Sequence, residues 1–101
     1  MQFQQLRYFL AILDQGGFTR AAQHLGRTQQ AVSKAMRQLE DELGVRLLDR
    51  ESGIPGPTAF GRELAAFARR ALQDETQLRG RLQAARSGTT GVVRIGASPA
   101  V

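Results

Sequence analysis

The sequence predicts a mainly α-helical fold: three short helices, a small β-hairpin and then one long helix. Three patterns predict it. Two helical segments, 19–25 and 28–43, flank a single turn at Gly26. Two β-prone stretches follow, Val45 to Arg50 and Pro55 to Thr58, on either side of Glu51-Ser52-Gly53. From Thr58 onward, apolar residues recur at heptad spacing over about 29 residues.

Each element has a local cause. Leu6, Phe9, Leu10 and Leu13 recur at i, i+3, i+4 and i+7, so 3–15 reads as an amphipathic helix that Gly16-Gly17 ends. Tyr8 and Ile12 form a second apolar face on it, either core or a partner surface. Thr19 is the expected N-cap of a short helix through Leu25, which Gly26 ends. Thr28 caps a third helix running to about Leu43, before Gly44. Val32, Ala35, Met36, Leu39 and Leu43 make its apolar stripe, and Gln30, Ser33, Lys34 and Arg37 stand opposite with no apolar member. The second hairpin strand carries Pro55 and Pro57, which lack an N–H, so it is expected to be short and at an edge.

The long helix starts at Thr58 and ends near Ser87-Gly88. At a rise of about 1.5 Å per residue it is roughly 43 Å long. Leu64, Ala68, Ala71, Glu75, Leu78, Leu82 and Ala85 step alternately by four and three, a seam with one polar interruption at Glu75. Residues 1–57 are too few to cover so long a helix, and the simplest cover is a second copy. Dimerisation is therefore expected through Leu64, Ala68, Ala71, Leu78 and Leu82; the other reading folds the helix back on its own domain. Gly61 and Gly80 weaken the helix somewhat. Beyond Gly88-Thr89-Thr90-Gly91, Val92 to Gly96 reads as a strand without a companion, as if another domain began there.

Composition excludes several functions. The chain has 101 residues, 42% of them hydrophobic, which bounds it to one small domain with a modest core. With no cysteine there is no disulfide framework and no thiolate metal site. His24 is the only histidine, which argues against His-ligated zinc and against Ser-His or Cys-His catalysis. No carboxylate pair, no nucleophile with a base and no phosphate-cradling loop stands out, so an enzyme is not expected, nor a cofactor. The apolar run Tyr8 to Leu13 is too short for a signal peptide and ends at Asp14, and nothing approaches a membrane span. A cytoplasmic setting is expected.

The net charge of +5 suits a polyanionic partner. Residues 1–57 hold seven bases and six acids, however, and residues 58–101 seven bases and three acids, so net charge does not locate a binding site. The arrangement along the helices does. Ala22 is small where two helices cross, Gly26 supplies the turn, and Val32, Leu25 and Leu39 fill the space between. These are the steric demands of a helix-turn-helix, whose second helix enters the major groove of DNA. There Gln29 or Gln30 can pair with adenine, Lys34 or Arg37 with guanine, and Ser33 with a base edge or a phosphate. The face carries no acid from Thr28 through Gln38, and Glu40-Asp41-Glu42 lies at the far end. The helix N-termini at Thr19 and Thr28 suit phosphates. Arg20 and Arg27 are candidate phosphate contacts, and Arg50 on the hairpin can reach the backbone or the minor groove. The plain alternative for all of these is a solvated polar surface; for Arg50 it is an ion pair with Asp49 or Glu51.

The chain also resembles the N-terminal part of LysR-type transcriptional regulators. The resemblance rests on Leu6-Arg7-Tyr8-Phe9, Gly17-Phe18-Thr19-Arg20-Ala21-Ala22, Gln29-Gln30-Ala31-Val32-Ser33, Leu39-Glu40-Asp41-Glu42-Leu43-Gly44, Leu47-Leu48-Asp49-Arg50 and Thr58-Ala59-Phe60-Gly61. It implies a winged helix-turn-helix over 1–57, a linker helix over 58–87 that dimerises antiparallel, and over 88–101 a hinge and the first strand of an effector-binding domain. It further implies DNA contacts at Gln29, Gln30, Ser33, Lys34, Arg37, Arg50, Thr19 and Thr28, and target sites that are imperfect palindromes with a T-N11-A core. A small-molecule effector and a tetramer are implied for the full-length protein. Gln30, Pro57 and Leu48 stand where the family commonly has proline, leucine and phenylalanine.

Two other readings remain open at this point. One is a winged-helix domain of another sensor class, such as a molybdate-responsive regulator. The other is a protein-interaction module whose heptad helix is the working part.

Overall fold

The core is built around α1 (Phe3–Gln15), which buries Leu6, Tyr8, Phe9, Leu10, Ala11 and Ile12. Tyr8 and Ile12 are therefore core, not a partner surface, and the Tyr8 hydroxyl accepts a hydrogen bond from Gln4 Nε2 at 2.9 Å. In a computed structural model, which describes residues 1–49, 51 and 56–88, α1 is followed by α2 (Phe18–Leu25), α3 (Gln29–Leu43), β1 (Leu48–Asp49), β2 (Gly56–Pro57) and α4 (Ala59–Arg86). Met1–Arg70 forms one compact unit; of the second, residues 71–88 are described.

Helix α2 is capped two residues earlier than expected. The Gly17 carbonyl accepts the Ala21 N–H at 3.1 Å and so closes the first turn; Gly17 is the N-cap, and Thr19 lies inside the helix. Thr19 is thus not a cap. Ala21 and Ala22 are buried against α1 and α3, where their small side chains allow close crossing. The helix ends at Gly26, whose φ of 68° lies in the left-handed region that favours glycine. The Arg27 N–H then reaches back to the Ala22 carbonyl at 2.9 Å, which fixes the turn into α3.

Helix α3 has the expected bounds. Thr28 Oγ1 accepts the Ala31 N–H at 3.1 Å, and Gly44 caps the far end. Val32, Met36 and Leu39 have no exposed surface, whereas Ala35 and Leu25 are half-buried and Leu43, at the last turn of the stripe, is 39% exposed. Val32, Met36 and Leu39, with Phe9, Ile12, Leu47 and Leu48, fill the interior.

The two strands pair antiparallel over two residues each, Leu48 with Pro57 and Asp49 with Gly56. Pro57 takes a place in the pair despite having no N–H to give. Arg50 and the turn residues Ser52, Gly53 and Pro55 lie outside the described residues, as does the expected strand 92–96.

Thr58 caps α4: its Oγ1 accepts the Gly61 N–H at 3.0 Å and its carbonyl the Arg62 N–H at 2.9 Å. The heptad expectation needs correction in the Met1–Arg70 unit. Leu64 is 9% exposed and Ala68 not at all, so neither is available to a second copy. The reason is that Gly61, Leu64 and Ala68, spaced three and four apart, form the side of α4 that lies on its own domain. The large exposed apolar residues of α4 in this unit are Phe60 and Phe67. In the second unit Ala71 is half-buried, and Leu78 and Leu82, one turn apart, are 48% and 51% exposed.

An ion pair joins α4 to α1: Arg69 Nη2 donates to Asp14 Oδ1 at 2.8 Å and Nη1 to Oδ2 at 3.4 Å. The hydrogen bond to Asp14, then its charge, raises the Arg69 pKa against slight burial. Both side chains are about half exposed, so the pair contributes little to stability.

The two glycines of α4 are not equivalent. A Cβ at Gly61 would lie 2.2 Å from the Leu47 carbonyl oxygen, whereas one at Gly80 meets nothing within 4 Å. Gly80→Ala is expected to stabilise by up to about 1 kcal/mol through helix propensity. Gly61→Ala, despite the same propensity gain, is expected to destabilise by about 1–3 kcal/mol through overpacking against backbone. Paired denaturant titrations check this; a Gly61→Ala variant as stable as the parent would show that α4 does not approach Leu47 so closely.

Candidate nucleic-acid interface

Helix α3 buries one side and presents the other. On the presented side, Gln29, Gln30, Lys34 and Arg37 are exposed and Ser33 half-buried. At about 100° per residue they span roughly 140° of the helix circumference, a continuous polar band. No hydrogen bond or ion pair within the described residues engages these side chains. The band therefore offers amides, a hydroxyl and two cations, all free to meet an external partner. Amides and guanidinium groups of this kind can match base edges bidentately, and an ammonium can serve phosphate or guanine.

The N-terminal turns of α2 and α3 add backbone donors. Once Thr28 has taken the Ala31 and Val32 N–H groups, those of Gln29 and Gln30 have no acceptor among the described residues. At α2, Gly17 accepts from Ala21, which leaves the N–H groups of Thr19 and Arg20 open. Thr19, Arg20, Arg27 and Thr28 are exposed. Both ends can receive phosphate oxygens, helped by the partial positive charge of a helix start. The position of Arg50 lies outside the described residues.

The three acids at the end of α3 do not behave alike. Asp41 and Glu42 are exposed, but Glu40 is 8% exposed. Its Oε2 accepts the N–H groups of Leu47 at 2.7 Å and Leu48 at 3.3 Å, and Arg46 Nε stands 3.8 Å away. Sequence reasoning grouped Glu40 with its charged neighbours and missed this. The signal was the spacing of four from Met36, which puts Glu40 beside the core stripe. Thr58 does more than start a helix: its hydroxyl also donates to the Arg46 carbonyl at 2.6 Å, a contact across twelve residues that no local pattern marks.

His24 is exposed, and among the described residues no group of His, Asp and Glu could hold a metal ion. None of the described helices is long and apolar enough to cross a membrane.

A family model, "Bacterial regulatory helix-turn-helix protein, lysR family", matches residues 3–62. The chain is 39% identical over 95 residues to an SDS degradation transcriptional activation protein of a Pseudomonas species, covering 94% of this chain and 31% of that protein. It is 35% identical over 78 residues to the HTH-type transcriptional regulator BenM of Acinetobacter baylyi, covering 77% of this chain and 26% of BenM. The chain thus spans about a third or less of the length of these relatives. Among solved structures, it is similar to the BenM DBD in complex with catB site 1 DNA, with a TM-score of 0.83 at 32% identity over 86% of this chain and 98% of that one. A CbnR DBD–DNA complex superposes with a TM-score of 0.79 at 36% identity, over 85% and 99% of the two chains. On the family match over residues 3–62, the identity to these regulators and the shared fold, the chain belongs to the LysR family of bacterial regulatory helix-turn-helix proteins.

Proposed function

We propose that this chain is the DNA-binding part of a transcription regulator, reading double-stranded DNA in a sequence-specific way with α3. The observation that carries it is the band of free polar and cationic side chains on the second helix of a helix-turn-helix, in a chain similar to DBDs solved with DNA. Gln29 and Gln30 serve adenine, Lys34 and Arg37 serve guanine or phosphate, and Ser33 bonds a base edge or phosphate. The open N–H groups at Thr19 and Arg20, and the α3 start at Thr28, take phosphates, and Arg50 extends contact to the backbone or minor groove.

The unit of binding is a homodimer. The exposure of Leu78 and Leu82 supports pairing of α4 with a second copy, since neither has a cover among the described residues. The division into a DNA-binding domain over 1–57, a linker helix over 58–87 and the start of an effector domain over 88–101 follows from the same reading. The full-length protein is then a small-molecule-responsive regulator, a tetramer, not an enzyme, and cytoplasmic, where its DNA is.

The test is a titration of an imperfect palindrome with a T-N11-A core against a scrambled duplex of equal length. Preferential binding is expected, with log K falling against log salt by about 0.9 per phosphate neutralised. Equal affinity for both duplexes overturns the reading. Selection from a random duplex pool then gives the half-site and its spacing together.

A further inference from the structure

The peptides from Arg46 to Leu48 are held from two sides. On one side the Glu40 carboxylate, reaching from α3, accepts the N–H groups of Leu47 and Leu48. On the other, Thr58 at the start of α4 takes the carbonyls: its hydroxyl donates to Arg46 O at 2.6 Å and its N–H to Leu47 O at 3.0 Å. The helix that Thr58 starts comes so near that a Cβ on Gly61 would lie 2.2 Å from the same Leu47 oxygen. Leu47 and Leu48 are each 1% exposed and their bonds to Glu40 are buried, so water does not stand in for the carboxylate; the Thr58–Arg46 bond lies at the exposed edge of the clamp.

The hairpin needs such a hold. Its strands pair over two residues each, and one of the four paired residues, Pro57, has no N–H to give. So short a ladder does not set the direction of a hairpin by itself. Burying a carboxylate is also costly unless it is fully bonded. Glu40 is spent on backbone at the root of β1, where it fixes the strand to the helix that carries the reading face.

We infer that Glu40 and Thr58 are positioning residues for DNA binding: together they clamp the Arg46–Leu48 peptides and so lock the paired strands β1 and β2, α3 and the first turn of α4 into one body. The hairpin then meets DNA at a set distance from the bases that α3 reads. This rests on the proposed DNA-binding function, and the test keeps the two apart.

Four variants are compared with the parent on the palindrome across a salt series, with footprinting of the flanks. Glu40→Leu and Thr58→Val remove the bonding groups at similar volume; Glu40→Gln and Thr58→Ser keep an acceptor and a hydroxyl. The first pair is expected to lose protection at the outer flanks, and its log K against log salt to flatten by about 0.9 per half-site, one phosphate contact. The bases selected by α3 stay the same. The second pair is expected to restore the parent's slope and footprint. Amide exchange at Leu47 and Leu48 should quicken in Glu40→Leu and recover in Glu40→Gln.

If Glu40→Leu and Thr58→Val lower the melting temperature but keep the parent's slope and footprint, the residues only stabilise and the inference falls. Should Glu40→Leu fail to fold, the Thr58→Val and Thr58→Ser pair decides alone. If the parent itself does not prefer the palindrome, it is the DNA-binding reading that fails; unchanged amide exchange at Leu47 and Leu48 in Glu40→Leu sinks the clamp independently of any DNA.

Discussion

Replacing Lys34 and Arg37 together by Ala should remove most of the preference for the palindrome and leave the fold intact. Each good pairing of such a side chain with a base is worth about 1–3 kcal/mol of discrimination, so the double variant is expected to lose about 2–6 kcal/mol, roughly thirtyfold to 10⁴-fold. Both residues are exposed and make no hydrogen bond or ion pair within the described residues, so nothing in the folded chain depends on them. A change in stability beyond about 0.5 kcal/mol is not expected. Competition titration against scrambled duplex and a melting curve measure the two quantities side by side. Unimpaired palindrome binding in the double variant would move recognition off this face to another surface of the domain. Gln30→Ala makes a finer comparison: its loss should be confined to the one base position the amide meets.

Much of this face was legible in the sequence because its causes are local. Thr28, the polar run to Gln38 and Gly44 are contiguous, and a cap, a helical period and a stop suffice to draw α3. The same held for α1. At α2 the local rule favoured Thr19, but a backbone carbonyl needs no particular side chain, and Gly17 closes the first turn without one. Tyr8 and Ile12 could not be assigned from spacing, since core and partner surface have the same periodicity; their burial decides it.

The misplacements have one physical origin. Heptad phase says that Leu64, Ala68, Leu78 and Leu82 are apolar at regular intervals, but not what each meets. In the Met1–Arg70 unit the close approach of α4 at Gly61 turns Leu64 and Ala68 onto the chain's own core. Glu40 was hidden by its charge class: of three consecutive acids, the one spaced four from Met36 lies beside the core stripe and accepts the N–H groups of Leu47 and Leu48. Those donors come from a segment seven and eight residues away, beyond the reach of a helical pattern.

Leu78→Asp with Leu82→Asp tests what covers the remaining exposed pair. The two positions are one turn apart, so the carboxylates would repel each other slightly within one helix and, in a dimer, would each have to leave water. Sedimentation is expected to show a dimer for the parent and a monomer for the variant. Binding to a single half-site should be unchanged, because both side chains are exposed and none of the proposed DNA contacts lies on this stretch of α4. Affinity for the whole palindrome should fall by about 10²–10⁴-fold, the gain that linking two binding events provides. Leu64→Asp would be a poor substitute for this experiment: Leu64 is buried within its own unit, and a charge there would unfold the reading domain instead of separating the copies. The contrast is itself diagnostic. If Leu78 and Leu82 face a second copy, their variant melts like the parent's monomeric unit and loses only the palindrome; a variant that stays dimeric with full palindrome affinity would place the contact elsewhere, with Phe60 and Phe67 the next residues to change.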